Sequence, residues 1–125
     1  MPSWREHLHA PAPGSVLCAV EDIPQGSGFE VMFGEGIRKL RVVAFRDGET
    51  VWAYVNSCPH FSLPLNAKPQ TFLISERNQV MCAFHCAIFR FEDGACIDGP
   101  AVGMGLETVP ISIDNGQVVI QAKAE

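Results

Sequence analysis

Long apolar runs, basic stretches and helical periodicity are all missing from this 125-residue chain. No apolar run approaches the roughly 18 residues of a membrane-spanning helix, so no membrane partner is expected. Lys and Arg number 9 against 14 Asp and Glu, a net charge of -5. Without a basic stripe, nucleic acid is not expected as a partner either. Charged residues make up only 18% and hydrophobic ones 47%, which excludes a disordered composition and allows a real core. Residues 1–14 carry Trp4, His7, His9 and three prolines, but neither the apolar centre of a secretory leader nor a twin arginine. The chain therefore reads as cytoplasmic. In that compartment five cysteines point to metal binding and free thiols, not to a disulfide framework.

What is present is a series of short strands cut by turns. Candidate strands run over 15–20, 29–33, 40–45, 51–55, 106–113 and 118–121, enriched in β-branched and aromatic residues. Asp47-Gly48, Asp93-Gly94 and Asn115-Gly116 mark hairpins, because tight hairpin turns require positive φ. Pro24, Pro59, Pro64, Pro69, Pro100 and Pro110 interrupt any helix. The fold expected is all-β: one domain over residues 15–125, an antiparallel sandwich or small barrel, after a flexible lead-in over 1–14.

Two pairs of residues carry chemistry. Cys58-Pro59-His60 and Cys82-Ala83-Phe84-His85 each offer one thiolate and one imidazole, and 21 residues separate them. Taken singly, any of these would be structural; Cys18 and Cys96 are read as plain buried thiols. As a set, two Cys and two His suit either a tetrahedral zinc or an iron-sulfur cluster with unlike irons. Zinc fingers group their cysteines before their histidines and recruit a helix, and the alternating order here argues against that.

The alternating pairs, followed by Gly94 and by Gly99-Pro100-Ala101, resemble the Rieske family, in which two His replace two Cys on one iron of a [2Fe-2S] cluster. The resemblance implies a β base with a cluster-binding part over about 57–101, and one [2Fe-2S] cluster. It implies that Cys58 and Cys82 hold the buried iron while His60 and His85 hold the outer one. With two thiolates replaced by neutral imidazoles, the charges of iron, sulfide and the remaining thiolates cancel, so potentials rise to about -150 to +300 mV, against about -400 mV for plant-type ferredoxins. By the same resemblance, Phe61, Leu65, Phe84, Phe89 and Phe91 wall the site, and Gly99-Pro100-Ala101 shields it from water.

Respiratory-chain members carry a disulfide between the ligand loops; Leu63 and Phe84 stand at the matching positions here. Their hydroxyl donors to the cluster are replaced by Ala87 and Phe89, which predicts a potential near the low end, roughly -150 mV. Ser62 and Cys86 stand where the family usually has Gly. This predicts an altered loop geometry, with either side chain able to donate to sulfide. The spacing between the pairs is longer than usual, and residues 67–77 are expected to hold the excess as a hairpin.

The function implied is that of a Rieske-type ferredoxin, a monomeric one-electron carrier and not an enzyme. It would pass electrons from an NAD(P)H-dependent flavoprotein reductase to a terminal oxygenase. No G-x-G-x-x-G follows a strand, and His7 and His9 leave no histidines for a mononuclear iron site, so the chain alone is not expected to hydroxylate a substrate. Two alternatives are a small Rieske-like subunit of a nitrite-reductase-type enzyme and a zinc-stabilised β interaction module.

Overall fold

The computed structural model describes residues 4–6, 8–36, 39–59, 63–84 and 86–122. Ten strands form three antiparallel sheets, with no α-helix among the described residues. β1 (Val16–Ala19), β10 (Gln117–Ile120) and β9 (Ile111–Asp114) make the first sheet, in that order. β2 (Gly28–Phe33), β3 (Leu40–Asp47) and β4 (Thr50–Val55) make the second. β5 (Leu73–Glu76), β6 (Gln79–Met81), β7 (Ile88–Arg90) and β8 (Cys96–Asp98) make the third. The all-β expectation holds.

The turns form where the sequence placed them. Asn115 (φ 51°) and Gly116 (φ 74°) join β9 to β10 with Asp114 facing Gln117, the two-residue loop that needs positive φ at both positions. The strand expected over 106–113 is instead irregular up to Pro110, and β9 begins at Ile111. Proline has no N–H to give a ladder, and Thr108 makes only an isolated bridge to Tyr54.

The second sheet is the middle layer, and the two-residue period of β3 shows why. Leu40, Val42 and Ala44 enter one core with Trp4, Leu17, Ile23, Val109, Val118 and Ile120. Val43 and Phe45 enter a second core with Tyr54, Leu65, Phe72, Val80, Phe89 and Phe91. Alternate side chains of a strand point to opposite faces, so a strand buried on both sides must be apolar at consecutive positions. Val42 to Phe45 are all wholly buried. The rings of Phe45 and Phe91 stack with centroids 4.5 Å apart, joining the middle sheet to the third. Tyr54 completes the junction by donating its hydroxyl to the Phe91 carbonyl.

The lead-in is anchored at its start. Trp4 is buried in the first core, and its backbone N–H donates to Glu107 Oε2 at 2.8 Å. Among the described residues, no helix is long and apolar enough to cross a membrane.

Candidate metal centre

Three loops converge at one end of the third sheet. Cys58 follows β4 closely, and Cys82 follows β6 directly. Both are wholly buried and belong to the second core, beside Leu65, Ala87 and Phe89. None of the five cysteines is in a disulfide. His60 and His85, the other two predicted ligands, lie outside the described residues, as do Phe61 and Ser62.

The loops are built by backbone bonds. In the first, the Cys58 N–H donates to Leu63 O at 2.6 Å. In the second, the Cys82 N–H donates to Ala87 O at 2.7 Å, and the Cys86 N–H donates to Cys82 O at 3.0 Å. The Ala83 N–H reaches Leu65 O at 2.9 Å and ties the second loop to the first. Cys86, at the position where glycine was expected, has a left-handed φ of 60° and is exposed. Its backbone thus takes the conformation that glycine adopts without steric cost.

The third loop packs on the second. Gly99 has φ 91°, and a Cβ there would lie 2.8 Å from Ala87 Cα and 3.0 Å from Cys86 O. Only glycine permits that approach. Ala101, two residues on, is wholly buried in the same core as Cys58 and Cys82.

The predicted apolar wall is present in part. Leu65, Phe89 and Phe91 are wholly buried, whereas Phe84 is 48% exposed. Phe84 lies in the turn that follows Cys82 and is a surface residue, not core. Leu63, Val102 and Met104 are exposed likewise, so among the described residues each loop carries at least one outward apolar side chain. The excess between the ligand pairs forms a turn at Lys68–Thr71 and then the β5–β6 hairpin.

Sequence reasoning did not find the polar group beneath the first loop. Glu30 is buried on β2, and Arg41 grips its carboxylate through Nε at 2.6 Å and Nη2 at 3.0 Å. Asn56 Nδ2 donates to Glu30 Oε2 at 2.6 Å, and Asn66 Nδ2 donates to Oε1 at 3.2 Å. Burial pushes the Glu30 carboxyl up, but the bonds from Arg41, Asn66 and Asn56, with the Arg41 charge, outweigh it and hold it below its ordinary value. A lone carboxylate within the apolar run Phe29–Phe33 was the available signal.

Cys18 is a different case from the loop thiols. Burial, and then the nearby Asp22 charge, push its thiol up to about 11. That makes it inert, as the sequence reading had it.

A family model described as the Rieske [2Fe-2S] domain matches residues 15–111. Among solved structures, the chain is similar to the ferredoxin of carbazole 1,9a-dioxygenase from Nocardioides aromaticivorans IC177. That match has TM-score 0.68 and 19% identity, and covers 90% of this chain and 100% of that one. A ferredoxin of Sphingomonas yanoikuyae B1 matches with TM-score 0.66 and 22% identity over 88% of this chain and 99% of that one. The terminal oxygenase of the Nocardioides enzyme matches with TM-score 0.73 and 19% identity, over 98% of this chain but 33% of that one. At these identities the likeness is one of fold. No curated protein matches the sequence.

The donor set fits a [2Fe-2S] cluster. Two water-excluded thiols stand on adjacent, mutually bonded loops, and each is followed within three residues by a histidine. The close approach at Gly99 lets a third loop pack against the Cys82 loop. Soft thiolates in a dry, apolar setting suit iron and sulfide.

Proposed function

Since this chain belongs to the Rieske [2Fe-2S] domain family, whose cofactor is one [2Fe-2S] cluster, we propose that it is a Rieske-type ferredoxin, a one-electron carrier and not itself an enzyme. When bound, the cluster supplies reversible one-electron chemistry. The observation that carries the reading is the pair of wholly buried cysteines, Cys58 and Cys82, on loops joined by the Ala83 to Leu65 bond. The structural match to two ferredoxins, over 90% and 88% of this chain and 100% and 99% of theirs, supports it.

Cys58 and Cys82 hold one iron, and His60 and His85 hold the other. The second core keeps water from the thiolates. Leu63, Phe84 and Val102 give the loop tips an apolar surface on which a redox partner can dock transiently. The net charge of -5 steers such a partner if its own face is basic. The partners proposed are an NAD(P)H-dependent flavoprotein reductase and a terminal oxygenase. One solved complex of similar fold is described as reduced oxygenase with oxidized ferredoxin in carbazole 1,9a-dioxygenase. We place the carrier in the cytoplasm, as a monomer.

The test is spectroscopic. Anaerobically purified protein is expected to show visible absorption that bleaches with dithionite, together with the EPR signal of a histidine-ligated [2Fe-2S] centre. Cys58→Ser, Cys82→Ser, His60→Ala and His85→Ala should each remove or alter that signal. Zinc without acid-labile sulfide would overturn the carrier reading in favour of a structural metal module. Co-purification in fixed ratio with a large reductase would move it to the subunit alternative.

A further inference from the structure

Among the described residues, the buried polar or charged side chains are Glu30, Asn56 and Asn66, and they bond to one another. The cluster of side chains lies on the middle sheet's site-facing surface, at the end where β4 leaves for the first ligand loop. Glu30 pairs with Val43 across the sheet, and Arg41 is Val43's neighbour on the same face.

The bonds are complete and directional. Each Glu30 oxygen accepts one bond from Arg41 and one from an asparagine. Four donors converging on one carboxyl need the ionised, acceptor-only form. Asn56 spends its second N–H on Asn66 Oδ1 at 2.7 Å, and its Oδ1 accepts the Leu65 N–H at 2.8 Å. Asn66 donates also to Lys68 O at 3.0 Å. The two asparagines therefore clasp the start and the end of the loop that holds Cys58 and His60. Leu65 continues the chain, because its carbonyl accepts from Ala83 in the second loop.

We propose that Glu30 is a positioning residue for the cluster: through Asn56, Asn66 and Leu65 its carboxylate fixes the first ligand loop and sets it in register with the second. The inference rests on the ligand assignment given above. A buried ion pair can often be replaced by apolar residues without loss of stability. What this one contributes is direction, since its bonds end on the two ends of a ligand loop. Groups one shell behind metal ligands commonly govern how tightly the metal site is held.

Glu30→Gln places an N–H among donors while keeping the side chain's shape. Gln70→Ala is the control. Among the described residues the Gln70 side chain bonds the Glu30 backbone, accepting its N–H at 2.7 Å and donating to its carbonyl at 2.8 Å. Both variants and the wild type are compared by circular dichroism, reduced-state EPR, midpoint titration and the rate of cluster loss to a chelator. Glu30→Gln should keep the β spectrum, shift the g values and the midpoint, and lose its cluster about tenfold faster. Gln70→Ala should leave g values and midpoint at the wild-type positions. Wild-type g values, midpoint and loss rate in Glu30→Gln would overturn the proposal, as would equal shifts in Gln70→Ala. If Glu30→Gln does not fold, Asn66→Ala, which leaves the Glu30–Arg41 pair intact, is read by the same criteria. A wild-type protein without a histidine-ligated signal would overturn the ligand assignment and this inference with it.

Discussion

Gly99 lies so close to Ala87 that a Cβ on Gly99 would stand 2.8 Å from the Ala87 α-carbon. The contact lets the third loop close on the second ligand loop. Its absence would open the side of the site on which Cys86 and Ala87 lie.

Gly99→Ala is therefore expected to cost at least about 1–2 kcal/mol from the left-handed backbone alone, before any displacement of Ala87. Chemical denaturation of the cluster-loaded protein measures this. The rate at which visible colour bleaches in a chelator should rise along with it. Unchanged denaturation and bleaching would show that the loops are not pressed together.

Midpoint titration checks the electronic setting. Ala87 and Phe89, wholly buried beside the cysteines, carry no hydroxyl to donate to sulfur. The midpoint is expected near the low end of the Rieske range, about -150 mV. A strongly positive value would mean that other donors take over that role, with Ser62 the first to examine.

Alkylation of native protein should separate the cysteines. Cys86 is exposed, whereas Cys18, Cys58, Cys82 and Cys96 are buried. Iodoacetamide is expected to label Cys86 first, and peptide mapping reads the order. Cys18 should resist as well, being buried, with its thiol raised to about 11 by burial and then by the Asp22 charge.

Acid should reveal Glu30. Its carboxyl is held below the ordinary value of 4.5, so it contributes stability that is present above that pH and lost as pH falls through the lowered value. Wild type and Glu30→Gln should differ most in melting temperature above about pH 5, and the difference should shrink in more acidic buffer. A difference that grows on acidification would contradict the sign.

Phe45→Ala tests the seam between the sheets. The ring is wholly buried and stacked on Phe91, so its loss should cost about 3–5 kcal/mol. Urea denaturation gives the value, and a cost under 1 kcal/mol would mean that the seam is loosely packed.

Local chemistry made much of this legible in sequence. Asn115-Gly116 can hardly be anything but a hairpin turn, because it supplies positive φ twice. Two Cys-His pairs, with Gly99-Pro100-Ala101 after them, named the family because ligand chemistry is confined to short motifs. Boundaries were less secure: Pro110 ended a strand that apolar pattern alone extended back to Leu106.

The sequence by itself determined the all-β class, the main turns and the four proposed ligands, since each depends on residue type at fixed local spacing. Tertiary structure alone decided three other things. It left Phe84 half-exposed in the turn after Cys82. It drew Trp4 from an expected loose lead-in into the core, where apolar area can be buried. It also gathered Glu30, Arg41, Asn56 and Asn66 beneath the first ligand loop. Those four are up to 36 residues apart in the chain, and only strand register and burial bring them together.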